Sequence, residues 1–274
     1  MDELYVGARQ VLLDGLEALG VHRAAVILVG AQAIYLRVGE GDLAIAPYTT
    51  DADLAIDPSR LGPIPPLEQA LLDNGFRPKT KDSVGIWVTT RTVGSRAVDI
   101  SVDLLLPDGA SSNPNSRAAQ LDGHDRRAVR NVAGLDGAFV DQDVMTVAAF
   151  DVEDLRKIEV AVAGPAAMLV AKLQKIEERI GTDRLSDKDA LDVLRLLRGT
   201  TTIELSGRYR TLMNDERTAK LGERGRGQLQ RQFIDKAGIG PGMLTRAIKG
   251  LGDPAELIAS ARVLAQDLLD ALGN

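Results

Sequence analysis

Thr49-Thr50-Asp51-Ala52-Asp53-Leu54-Ala55-Ile56 sets two carboxylates one residue apart and follows them with apolar residues. Successive side chains of a strand point to opposite faces, so Asp51 and Asp53 project together while Ala52 and Leu54 face the other way. The stretch predicts a strand over 51–56, acidic on one face and apolar on the other. Two acids at that spacing repel. With no Cys in the chain and only His22 and His124 as imidazoles, the counter-charge that suits them is a hard divalent cation held through oxygen. A D-x-D alone also has a plainer reading, a solvent-facing strand edge or the start of a turn before Asp57-Pro58.

The neighbouring segments favour the cation. Residues 24–29 form a continuous apolar, β-branched run that predicts a buried strand, and Gly30 breaks it ahead of a helical stretch over 32–38. Upstream, residues 4–19 carry helical spacing and close at Gly20. Downstream come a proline-rich loop over 58–66, a helix over 67–74 closed by Gly75, and strands over 85–91 and 96–106 around Gly94-Ser95. In the last of these, Asp99, Ser101 and Asp103 alternate with Val98, Ile100, Val102 and Leu104, which makes a third carboxylate available. A pairing that set this face beside Asp51 and Asp53 would place three Asp side chains around one or two Mg2+, as two-metal phosphoryl transfer requires. Asp103 would also be placed to accept the nucleophile's proton. Alone, that strand reads equally well as an exposed face with alternating acids.

Beyond it, residues 107–131 read as irregular, 137–147 and 157–162 as strands, and helical patterns dominate from Pro165. The expected fold is α+β: a mixed sheet flanked by helices over 1–164, then a helical domain over 165–274.

Composition agrees with a globular protein: among 274 residues, 45% are hydrophobic and 26% charged. The absence of Cys excludes disulfides, thiolate metal sites and a Cys nucleophile, and two His exclude a multi-histidine zinc centre. No apolar run approaches the length of a membrane span, and the acidic start lacks a basic leader, so the expected location is cytoplasmic. The formal charge of -6 is uneven. Residues 208–249 hold ten Lys or Arg against four acids, a local surplus that reads either as a polyanion contact or as solvated helix faces.

The order strand, Val29-Gly30-Ala31-Gln32, TTDADLAI and VDISVDLLLP resembles the polymerase-beta nucleotidyltransferase superfamily, whose pattern is hG[GS], D-h-[DE]-h, then h-[DE]-h. Ala171-Lys172-Leu173-Gln174-Lys175-Ile176-Glu177-Glu178-Arg179 and Asp187-Lys188-Asp189-Ala190-Leu191-Asp192 resemble the lysine and aspartate blocks of AbiEii-type toxins, a group that includes the MenT toxins. The resemblance covers about residues 24–198. It implies a polymerase-beta-like fold, Mg2+ (or Mn2+) as cofactor and an NTP (ATP, GTP or CTP) as substrate. It also implies transfer of an NMP to an acceptor hydroxyl, an RNA such as a tRNA 3′ end, by a toxin held in check by a cognate antitoxin.

Carried over by position, Asp51, Asp53 and Asp103 are the implied metal-binding and catalytic acids, with Asp99 the lesser candidate for the third. Gly30 and Ala31 are implied at the nucleotide phosphates, though Ala31 stands where the family has Gly or Ser and brings no hydroxyl. Lys172 is implied at the triphosphate, with Asp189 as the late family aspartate. Lys175, Arg179, Lys188 and Asp192 lie on compatible helix faces, where surface salt bridging is the plain alternative. Two other functions keep part of this reading: transfer to a small molecule or protein, and nucleotide binding without turnover. Weaker candidates are Trp87 as a base-stacking ring and the segment 113–130, where His124, Arg117, Arg126, Arg127 and Arg130 could meet a nucleotide. Gly222-Glu223-Arg224-Gly225-Arg226-Gly227 reads as a flexible stretch rather than a phosphate loop.

Overall fold

The alternation around Asp51 produces a strand with Ala52, Leu54, Ala55 and Ile56 buried and Asp51 and Asp53 half-buried. The computed structural model describes residues 2–39, 48–248 and 250–273. Met1 of the acidic start and Lys249 of the basic run lie outside the described residues. The described chain divides into two units, one of residues 2–33, 48–132 and 142–163, the other of residues 34–39, 133–141 and from Gly164 onward.

The first unit is a mixed sheet with flanking helices. Its strands are β1 (Val26–Val29), β2 (Asp51–Ile56), β3 (Arg77–Pro78), β4 (Ile86–Val93), β5 (Arg96–Pro107), β6 (Arg130–Val132), β7 (Gln142–Ala148) and β8 (Lys157–Ala163). They lie in the order β3-β4-β5-β2-β1-β8-β7, with β6 added to β5. β1 is buried throughout, as a run of Val, Ile and Leu at the sheet centre should be. Its antiparallel partner is β2, and β2 runs parallel to β5. Helix α1 (Glu3–Ala18) is capped by Asp2, whose side chain accepts from the amides of Leu4 and Tyr5, and it packs against β5. Residues 20–25 are a 3-10 turn, so β1 starts two residues later than the apolar run suggests. Helix α2 (Gly30–Val38) opens directly on the glycine, and α3 (Leu67–Asp73) ends ahead of Gly75.

The second unit is helical: α4 (Pro165–Arg179), α5 (Asp187–Gly199), α6 (Thr202–Asn214), α7 (Ala219–Leu229), α8 (Gly240–Ala247) and α9 (Pro254–Leu272), together with the last turns of α2. The architecture is therefore α+β, a mixed sheet flanked by helices and a helical unit. No described helix is long and apolar enough to cross a membrane.

One expectation is corrected here. Residues 222–227, read as flexible, are the middle of α7. Three glycines lower intrinsic helix propensity, but tertiary packing outweighs it. A Cβ on Gly225 would stand 2.7 Å from Tyr209 Oη and 2.9 Å from Val170 Cγ2, so the small residue lets α7 approach α4 and α6. Gly207 on α6 meets nothing within 4 Å. Gly225→Ala is expected to lower stability by about 1–2 kcal/mol through overpacking, whereas Gly207→Ala is expected to raise it by about 0.5–1 kcal/mol. Urea unfolding of the two variants checks the pair of signs.

Candidate active site

The parallel pairing of β2 with β5 sets Asp53 opposite Asp103 and Asp51 opposite Ser101. Neighbouring strands lie about 4.8 Å apart, so Asp53 and Asp103 stand abreast on one face with Asp51 two residues along. Such proximity raises the energy of the ionised acids. Asp103, 8% exposed, is pushed above the usual carboxylate range, first by burial and further by Asp51, while the Arg130 guanidinium opposes the shift. Arg130 reaches Asp103 Oδ2 at 2.7 Å. It can do so because β4 leaves β5 at Asp103 and β6 takes over from Leu105, bringing Arg130 alongside. Thr49 Oγ1 donates to Asp51 Oδ1 at 2.5 Å.

Gly30 is required here twice. Its φ of +71° is a left-handed conformation that favours glycine, and a Cβ there would lie 2.1 Å from Asp53 Oδ2. The β1–α2 turn thus closes directly on the Asp53 carboxylate, at a helix start where a negative charge is favoured. Ala31 is buried in the first turn of α2.

Among the described residues no group of three or more His, Asp or Glu side chains is gathered tightly enough to hold a metal ion. Asp103 is engaged by Arg130. The donor set nonetheless fits a hard divalent cation: the three acids share one face, offer only oxygen, and include the buried Asp103 Oδ1, which has no hydrogen-bond partner.

Asp99 is not part of this group. Four residues before Asp103 on β5, it is exposed and holds Arg77 at 2.6 Å and Thr90 at 2.7 Å.

Lys172 and Asp189 lie in the helical unit, inside a buried ionic cluster between α4 and α5. Lys172 Nζ stands 2.9 Å from Asp189 and 2.8 Å from Asp192. Burial alone would drive the ammonium toward neutrality, but Asp192 and Asp189 outweigh it and hold the proton more firmly than usual. Burial likewise works against the Asp189 charge, and Lys172 and Lys175 keep its pKa below the ordinary value. Asp189 is also reached by Lys175 at 3.3 Å and by Arg179 at 3.8 Å. Tyr35 donates to Asp192 at 3.3 Å, under the Arg195 guanidinium and with Lys188 5.9 Å from its ring centre. Tyr35 and Arg195 were not singled out in the sequence. No local period marks them, since the cluster forms between helices far apart in the chain.

Trp87 and His124 are engaged within the fold. Trp87 is 4% exposed and its indole donates to the Ala128 carbonyl at 3.0 Å, so it packs rather than offering a stacking face. His124 accepts from the Leu67 amide through Nδ1 at 3.0 Å, completing the uncapped start of α3. Burial holds its pKa below 6.5, with His22 adding to the effect and Glu68 opposing it. A depressed imidazole pKa disfavours the folded state only where the unfolded chain takes up a proton. The contribution of His124 is therefore intact above pH 6.5 and is lost as pH falls below it. The melting-temperature gap between the native chain and His124→Gln is expected to shrink from pH 7.5 to pH 5.

Much of the late basic run is engaged internally: Arg208 with Asp141, Arg217 with Asp215, Arg226 with Glu223, Arg231 with Glu177 and Arg246 with Asp187. Lys220, Arg224 and Lys236 are exposed.

No protein-family model and no curated protein matches the chain. Two solved structures are similar to it. One is an antigenic nucleotidyltransferase-like protein from Paracoccidioides brasiliensis, 14% identical, with a TM-score of 0.47 over 94% of this chain and 93% of that one. The other is JHP933 from Helicobacter pylori, 13% identical, with a TM-score of 0.48 over 99% of this chain and 94% of that one.

Proposed function

We propose that the chain is a metal-dependent nucleotidyltransferase that moves an NMP from an NTP to an acceptor hydroxyl. The observation that carries the reading is the register of Asp53 against Asp103, with Asp51 on the same face and Gly30 closing on Asp53. Asp51, Asp53 and Asp103 would hold Mg2+ or Mn2+. When bound, such an ion neutralises charge on the triphosphate and makes the attacking hydroxyl more acidic. The acceptor oxygen forms its bond to the α-phosphorus as the bond to the bridging oxygen breaks, and pyrophosphate leaves. Asp103 would also take the hydroxyl proton as the general base. Arg130 orients that carboxylate through Oδ2 and offsets its charge.

For the acceptor we propose RNA, a tRNA 3′ end in particular, with the chain acting as a growth-arresting toxin under an antitoxin; this rests on the sequence resemblance. With five of the late cations paired internally, the basic run adds little support, and Lys172 is assigned to the buried cluster rather than to the triphosphate. The test is incubation with Mg2+ and α-labelled NTPs in separate pools of tRNA, total RNA, protein and aminoglycoside. Label at the 3′ end of tRNA is the expected result. Label only in another pool moves the acceptor, and NTP binding without label in any pool rejects the transferase reading.

A further inference from the structure

β1 ends before β2 does. Their antiparallel register runs from Val26 opposite Ile56 to Val29 opposite Asp53. Continued, it would set Ala31 opposite Asp51, but the chain has already turned at Gly30 into α2. At Asp51 the strand therefore keeps β5 on one side and loses β1 on the other. The side chain of Gln32 fills that place: its Nε2 donates to the Asp51 carbonyl at 3.1 Å and to the Ala8 carbonyl at 3.1 Å. Its Oε1 accepts from Arg9 Nε at 2.9 Å. Gln32 is 1% exposed and Arg9 is 2% exposed.

Arg9 is unusual in its company. Its guanidinium donates to Gln32 and to the Ala148 carbonyl at 3.0 Å and lies 4.1 Å from the Phe150 ring centre. The Tyr5 side chain also hydrogen-bonds Arg9 and partly offsets its burial, but none of these groups is a carboxylate, and burying a guanidinium without one is costly. An arginine held there at such cost fixes the orientation of what it touches, and what it touches is the carboxamide that replaces β1. A glutamine at this place can be oriented only one way round: Oε1 must face the donor Arg9 and Nε2 the two carbonyls.

We propose that Gln32 and Arg9 are positioning residues of the acid face, a side-chain strut that stands in for the missing strand and fixes the Asp51 end of β2 against Asp53. The proposal rests on the reading of Asp51 and Asp53 as the metal pair. It makes Gln32, two residues after the turn glycine, part of the site although it offers no atom to the ion. Outer-shell supports of this kind typically alter metal affinity by about 10–100-fold.

Two measurements on Gln32→Met, which keeps the volume and removes all three hydrogen bonds, test it. Backbone hydrogen exchange over residues 49–53 is expected to quicken about fivefold or more, the effect of losing one hydrogen bond, with residues 26–29 unchanged. The Mn2+ dissociation constant is expected to rise about tenfold. Arg9→Lys, which keeps the charge and loses the planar donor, should shift both readouts in the same direction and serves if Gln32→Met does not fold. A lowered melting temperature with native exchange over 49–53, or with native Mn2+ affinity, overturns the proposal. Should the native chain bind no Mn2+, the metal reading fails, and the exchange rates alone accept or reject the strut.

Discussion

Lys172→Met is expected to cost the helical unit about 3–5 kcal/mol, the usual penalty for breaking a buried ion pair from one side. Methionine fills the space, so the loss comes from charge and not from a cavity. Without the ammonium, Asp189 and Asp192, 2% and 0% exposed, remain side by side on α5, with only the longer contacts of Lys175, Arg179 and Arg195 to offset their charges. The sign of the pH response follows. In the native chain Asp189 has its pKa held below 3.8, so its stabilising contribution is present above that pH and disappears as pH falls through the folded-state value. In Lys172→Met the acids are penalised by burial, and lowering the pH relieves the penalty by protonating them. The variant should therefore lose less, relative to the native chain, at pH 4 than at pH 7. Urea unfolding at both values checks this, and a loss below about 1 kcal/mol would mean that the pair is solvated as surface pairs are.

Asp53→Asn should produce the opposite combination. Transfer of NMP is expected to fall by about three orders of magnitude, at the upper end of what one missing electrostatic partner costs. Stability should not fall with it. Asp53 stands abreast of Asp103, whose pKa is already raised by burial and by Asp51, and removing one charge from that face relieves repulsion in the unliganded protein. An unchanged or higher melting temperature together with lost activity is the pattern of acids kept for function at the expense of stability. An activity near native, or a melting temperature several degrees lower, would mark Asp53 as a structural residue.

The site and its scaffold were legible in the sequence to different depths. Strand β2 is bounded by Asp51 and Ile56 as its alternation predicts, and the β4–β5 hairpin turns at Gly94-Ser95, because period two and turn glycines are local signals. The value of Gly30 was visible as a break but its reason was not. A breaker looks the same whether it makes room for a phosphate or, as here, for the carboxylate of Asp53. Pairing order is not local at all: nothing near Asp103 announces that β5 runs parallel to β2, or that a three-residue strand will carry Arg130 to it. Gln32, one residue past the hG[GS] pattern, carries no local signal, since its partners lie on two distant elements, Ala8 and Arg9 on α1 and Asp51 on β2. In the helical unit the helices from Pro165 follow the period, yet Asp192, which reads as a surface partner, is buried against Lys172, while Lys175, Arg179 and Lys188 stay partly exposed. At Gly222 to Gly227 a propensity argument lost to packing.

The central claim is that Asp51, Asp53 and Asp103 together bind a divalent ion and through it an NTP. Its most direct measurement is titration of the purified chain with Mn2+ and a non-hydrolysable NTP analogue, followed calorimetrically for the native protein and for Asp51→Asn and Asp53→Asn. Analogue binding is expected to require the ion in the native chain and to disappear in both variants while their folds persist. Analogue binding that is independent of the ion, or equal in all three proteins, would contradict it.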